Sequence, residues 1–249
     1  MGRTTWAAAV GLVLIVIGGV FLLREVGFAI DLGFVWAAII IAIGLVVLVG
    51  ALRPRQPAPA SVAVDRQGAA DLFLDLAAGG GRFALSGGSA ALVEVDSLRD
   101  DIVSWVDRSG PTTRVQLRQN TDWFLQPWLG PAGWNIRVPS DVPLTLEMGS
   151  GAGEVQIDLS AVLLRSGRIN FGAAKGTVTL PHPRGDVALM LAAGAASITI
   201  VVPPGVEARV NTQGGLLSVS GRTETPGYGA AADRVTVTLQ GGAASVAIV

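Results

Sequence analysis

Few residues in this chain can do chemistry, and their spacing limits what they can do. The single histidine, His182, sits in Leu180-Pro181-His182-Pro183. An imidazole works as a general base when a carboxylate orients it, and Asp186 is nearby in the chain. Two flanking prolines place His182 on a turn, so an exposed turn residue is the expectation. A second candidate is Gly149-Ser150-Gly151-Ala152-Gly153, because glycine-rich loops cradle phosphates. A dinucleotide loop must lead into a helix whose N-terminus meets the phosphates, and here an alternating strand pattern follows. The segment is therefore expected to be a corner between strands. Asp75, Glu94, Glu154 and Asp158 fall singly, on positions that an extended chain turns to solvent. Cysteine is absent, which excludes disulfides, thiolate metal sites and cysteine nucleophiles. Neither a phosphate-loop motif nor a nucleophile-elbow motif occurs. The expectation is a non-enzymatic chain with no catalytic, cofactor or metal site.

The elements that carry these residues repeat. Leu144–Leu159, Ile169–Pro181 and Val187–Pro203 each read as alternating apolar residues, a knot of Gly and Ala, then alternation again. The knots begin at Gly151, Gly172 and Gly194, a period of 21 and then 22 residues. A fixed period of this size marks a solenoid, whose units bury their apolar faces only against their neighbours. Apolar residues at i, i+2 and i+4, rich in Val, Ile, Leu and Thr, make the arms strands. Two-residue Asn-Gly or Asp-Gly turns are missing from these units, which favours parallel stacking over hairpins. The fold expected is thus an all-β domain, a parallel β-helix-like solenoid, with an antiparallel β-sandwich as the alternative. Weaker copies lie at Leu72–Leu85, Ala208–Ser220 and Val235–Val249, the last ending without a cap.

Upstream, Trp6 to Leu23 and Phe34 to Leu52 are uncharged runs of 18 and 19 residues. As helices they span roughly 27–29 Å, matching a hydrocarbon core of about 30 Å. Residues 1–52 are expected to form a two-helix transmembrane hairpin, with spans of about 6–23 and 34–52. A cleaved signal peptide is the competing reading of the first run. Arg3, Arg53 and Arg55 flank the outer ends, which places both termini in the cytoplasm of a multi-pass protein in the cell membrane. Residues 53–61 form a proline-rich linker, and the β-domain is expected over 62–249.

Residues 97–141 interrupt the repeat and hold four of the six tryptophans. Trp123, Phe124, Trp128 and Trp134 are candidates for a partner or membrane contact, since tryptophan is favoured at interfaces. The competing reading is a cap over the open end of the solenoid.

Half the residues are hydrophobic and mean hydropathy is +0.54, too apolar for an ordinary soluble domain. The net charge of −1 leaves no basic footprint for nucleic acid.

The N-terminal GLVLIVIGGVFLL and WAAIIIAIGLVVLVG runs resemble the transmembrane region of LiaI- and LiaF-like bacterial proteins. Val142–Ser160 and Gly194–Val206 resemble the LiaF C-terminal, or toastrack, domain. The resemblance implies a non-enzymatic membrane protein of the cell-envelope stress response that restrains a partner, a sensor histidine kinase. A self-assembling membrane-tethered scaffold, a homo-oligomer built on the uncapped last strand, is the alternative. A carbohydrate-cleaving site on the outer face, which parallel β-helices can host, would need a local cluster of Asp, Arg or Lys that the sequence lacks.

Overall fold

The computed structural model describes residues 59–120 and 132–249. The expected transmembrane hairpin, Trp123, Phe124 and Trp128 lie outside the described residues. Among the described residues the structure is all β, and no helix is long and apolar enough to cross a membrane. Pro57–Val249 forms one compact unit.

The long strands β2 (Asp71–Gly87), β7 (Leu144–Asp158) and β8 (Leu164–Thr179) run side by side and parallel. Each turns a corner at its glycine knot and so contributes to two arms. Register follows the repeat: Leu74 lies beside Leu146, and Phe83 beside Val155. The inward residues of both arms form one continuous core. Each fully buried Leu or Phe there contributes roughly 1.5–3 kcal/mol.

The corner explains the Gly and Ala knots. Gly79, Gly151, Gly172 and Gly194 stack coil on coil, and a Cβ on Gly151 or Gly172 would collide with the carbonyl oxygen of the preceding coil's glycine. Only a residue without a side chain lets the backbones approach this closely.

Shorter strands extend the stack. β9 (Asp186–Ala193) and β10 (Ser197–Val201) form the next coil, on the first and second arms of β8. The C-terminal pair β13 (Arg234–Gly241) and β14 (Ala243–Ile248) follows in space, although β11 (Ala208–Gln213) and β12 (Leu216–Ser220) precede it in sequence. β13 lies between β9 and β11, and β14 between β10 and β12. The expectation that the last strand is an open end is therefore corrected. Val246 is 2% exposed, and the edge belongs to β12.

At the other end, β5 (Thr112–Gln119) and β6 (Gly133–Val138) add a coil beyond β2. Three antiparallel strands flank it. β4 (Ile102–Asp107) pairs with β5, β3 (Val93–Ser97) with β6, and β1 (Ala60–Val64) with β3. The interruption over 97–141 thus holds regular strands. β1 also begins inside the residues read as linker, because Ala60 and Ser61 pair with Ser97 and Asp96. The parallel coils are those of a solenoid, and the antiparallel strands are confined to this end. We call it the head and the β11–β12 end the tail.

Candidate interaction surface

At the head, Trp134 is not a contact residue. It is 2% exposed, stands edge-on to Phe83 with ring centroids 5.6 Å apart, and donates its indole N–H to Asp101 at 3.1 Å. Period two places it inward with Ile136 and Val138, which corrects its reading as a partner or membrane contact. Asp101, 8% exposed, also accepts from the Ser97 hydroxyl (3.0 Å) and the Gln119 side-chain amide (2.9 Å). The Arg99 guanidinium lies 3.7 Å from it, itself buried. The Gln119 carbonyl oxygen in turn accepts from the backbone N–H groups of Gly79 and Gly80. One amide side chain therefore substitutes at the corner for a coil backbone. No sequence motif announces this network, because its members lie on four separate elements. Trp105, on β4, is the tryptophan left on the surface among the described residues, at 52% exposure.

His182 is exposed on its turn, and Asp186 pairs with Arg234 instead. Gly149–Gly153 lies inside β7, with strand on both sides, as the corner reading expects. The outward acids meet arginines across the ladder: Glu154 with Arg82, Glu94 with Arg137, and Asp75 with Arg118. Asp158 instead accepts from the Ser160 N–H and hydroxyl. Parallel register brings Glu154 to Arg82 and Asp75 to Arg118 one coil apart, the antiparallel β3–β6 pair brings Glu94 to Arg137, and the charges are matched in pairs. Among the described residues, no three acids or histidines gather where a metal could sit. A shallow groove over the corner is lined by Gly149, Asn170, Ala192 and Gln240, without a charged group.

The tail is organised differently. The loop after β12 returns, so that Thr225 N–H donates to Ala208 O and Val210 N–H to Thr223 O. Arg209 forms a two-pronged ion pair with Glu224 (2.8 and 3.0 Å) and stacks 4.3 Å from the Tyr228 ring. The hydrogen bonds from Arg209 hold the Glu224 carboxyl below its ordinary range. This cover stops at Val210. Beyond it β11 is exposed, and β12 has a partner on one side only among the described residues. Leu216 is 83% exposed.

A stack of parallel coils with matched surface charges defines a β-solenoid. The chain belongs to the toast_rack family: residues 55–201 match the family described as "N-terminal domain of toast_rack, DUF2154". Comparison with curated protein sequences gives no match. Among solved structures, one from Clostridium sporogenes, provisionally described as a cell adhesion protein, is similar with TM-score 0.69 and 18% identity, over 77% of this chain and 98% of that one. At that identity the likeness is one of fold. A provisional adhesin from Bacteroides fragilis aligns over 77% of this chain and 96% of that one, with TM-score 0.32 and 10% identity.

Proposed function

We propose that this chain is a non-enzymatic, membrane-anchored regulator of the cell-envelope stress response. It acts by binding a membrane partner of the sensor histidine kinase kind. Residues 6–23 and 34–52 cross the bilayer as a hairpin with both termini cytoplasmic, and 57–249 is the toastrack domain. The observation that carries the reading is the pairing of outward carboxylates with arginines on neighbouring strands, which leaves the outer face charge-balanced, as suits a surface that binds rather than reacts. The two uncharged runs and the membership in the toast_rack family support the anchoring and the class.

The test is affinity capture of the full-length protein from solubilised membranes after crosslinking in intact cells. Recovery of a histidine kinase, lost on envelope-active antibiotic treatment, is expected. Recovery of no membrane sensor would overturn the proposal. A reporter fused after Val249 checks the topology, with cytoplasmic activity expected.

A further inference from the structure

The tail edge has a chemistry of its own. β12 pairs in parallel with β14, and Leu216 N–H donates to Gly242 O. Backbone groups alternate sides along a strand, so Leu216, Ser218 and Ser220 turn theirs to β14, while Leu217 and Val219 turn theirs outward. Among the described residues nothing pairs with them. The strand, Leu216–Ser220, holds no charge, proline or register shift, the usual devices that blunt an edge. Leu217 and Val219 are also half-buried against the core, so their apolar side chains mark where it ends.

We propose that this edge pairs with the same edge of a second copy, antiparallel about a two-fold axis at Ser218. In that register Leu217 faces Val219 of the other copy, and each such pair exchanges both backbone hydrogen bonds. The inward side chains that meet are Leu217 and Val219, which makes the two cores continuous. On the outer face Ser218 meets its own copy and Leu216 meets Ser220. The pairing is self-complementary, so it closes as a dimer and does not propagate. At the head the terminal coil itself is covered, because β5 carries β4 and β6 carries β3 with β1 beyond it.

A strand of five residues covers less than the roughly 800 Å² per partner of a stable soluble complex. The contact is therefore weak in dilute solution and depends on high local concentration. It is independent of the regulator reading: a chain that captures a kinase can fail to self-pair, and the converse.

The chain has no cysteine, so one introduced thiol reports its own neighbourhood. The two-fold axis places Ser218 in a non-hydrogen-bonded pair, with Cα atoms about 4.5 Å apart, within disulfide range. The full-length chain in detergent, carrying Ser218→Cys, is oxidised mildly beside Ser197→Cys, an exposed serine in the sheet interior. Disulfide dimers are expected from Ser218→Cys at least roughly tenfold faster than from Ser197→Cys, since only the edge meets disulfide geometry. Dimerisation through another surface, or an edge that takes a different partner's strand, leaves the two rates equal and overturns the proposal.

In chemical crosslinking, Ser218→Glu and Ser218→Lys are each expected to lose the dimer by like-charge repulsion, and their mixture to regain it. A dimer that persists in each variant alone would overturn the proposal as well.

Discussion

At the head, the terminal coil β5–β6 meets antiparallel strands on both arms, and a buried carboxylate ties four elements together. At the tail, the terminal coil β11–β12 is covered over Ala208–Val210 and then left to solvent. Both ends face the same problem: the last coil of a stack exposes a ladder of hydrogen-bonding groups and half of an apolar core. The head answers it with strands of reversed direction, which stop the repeat. On β11 the tail answers it with composition. The inward column Leu76, Met148, Ile169, Leu191, Leu239 ends in Thr212, which is exposed. At that exposed position the Thr212 hydroxyl keeps its water and carries no burial cost.

The sharpest way to break this comparison is at the head. Trp134→Ala removes a large buried ring, opens a cavity against Phe83 and takes from Asp101 one of its donors, leaving Ser97 and Gln119. A loss of about 3–5 kcal/mol is expected in urea unfolding. A loss below about 1 kcal/mol, the range of a surface change, would show that the head network does not hold the terminal coil.

Exchanging residues within one column tests the tail. Leu239→Thr puts an unpaired hydroxyl into the covered coil and is expected to cost about 1–3 kcal/mol. The reverse change at the same level of the terminal coil, Thr212→Leu, should stay within about 0.5 kcal/mol. Equal costs at the two positions would mean that the tail coil is covered in the intact protein, and the comparison of the ends would fall.

Gln119→Leu is a smaller probe of the head. It hands the N–H groups of Gly79 and Gly80 to water and is expected to cost about 0.5–1.5 kcal/mol. Hydrogen exchange should quicken at those two amides and not at Gly151 or Gly172, which have coil neighbours on both sides.

How much of this could be read from the chain follows from the same physics. The coils over Leu144–Val202 announce themselves because inward residues alternate strictly and the corners demand Gly or Ala. β5 hides although Thr113, Val115 and Leu117 alternate as well, because Arg114, Gln116 and Arg118 between them look like a polar loop and four tryptophans draw attention to an interface. Trp134 illustrates the difficulty: its type suits either a surface or a core, and only its parity with Ile136 and Val138 decides. The exchanged order of the last two coils had a signal too. Val235, Val237 and Leu239 are inward and wholly apolar, whereas Ala208, Val210 and Thr212 are not, so the C-terminal coil is the better suited to a place between neighbours. The Asp101 network had none, since its partners converge only after the coils have stacked.

The smallest effects come from the ion pairs that fasten each end, and they differ from the others in depending on pH. Arg66 donates to Asp141 at the head and Arg209 to Glu224 at the tail, and each hydrogen bond holds its carboxyl below the ordinary range. A carboxyl whose folded pKa is depressed adds stability above its unfolded pKa, near 4, and loses it as pH falls through the lower folded value. At neutral pH both contributions are therefore fully present, and acid removes them below about pH 4. Asp141→Asn and Glu224→Gln should each flatten part of the acid limb of a stability–pH curve, since neither variant titrates there. If the tail is held chiefly by Arg209 and Glu224, Glu224→Gln should also speed exchange at the Val210 and Thr225 amides, with the head unaffected. Faster exchange at both ends would mean that they open together, so that the stack behaves as one cooperative unit rather than one with a fixed head and a loose tail.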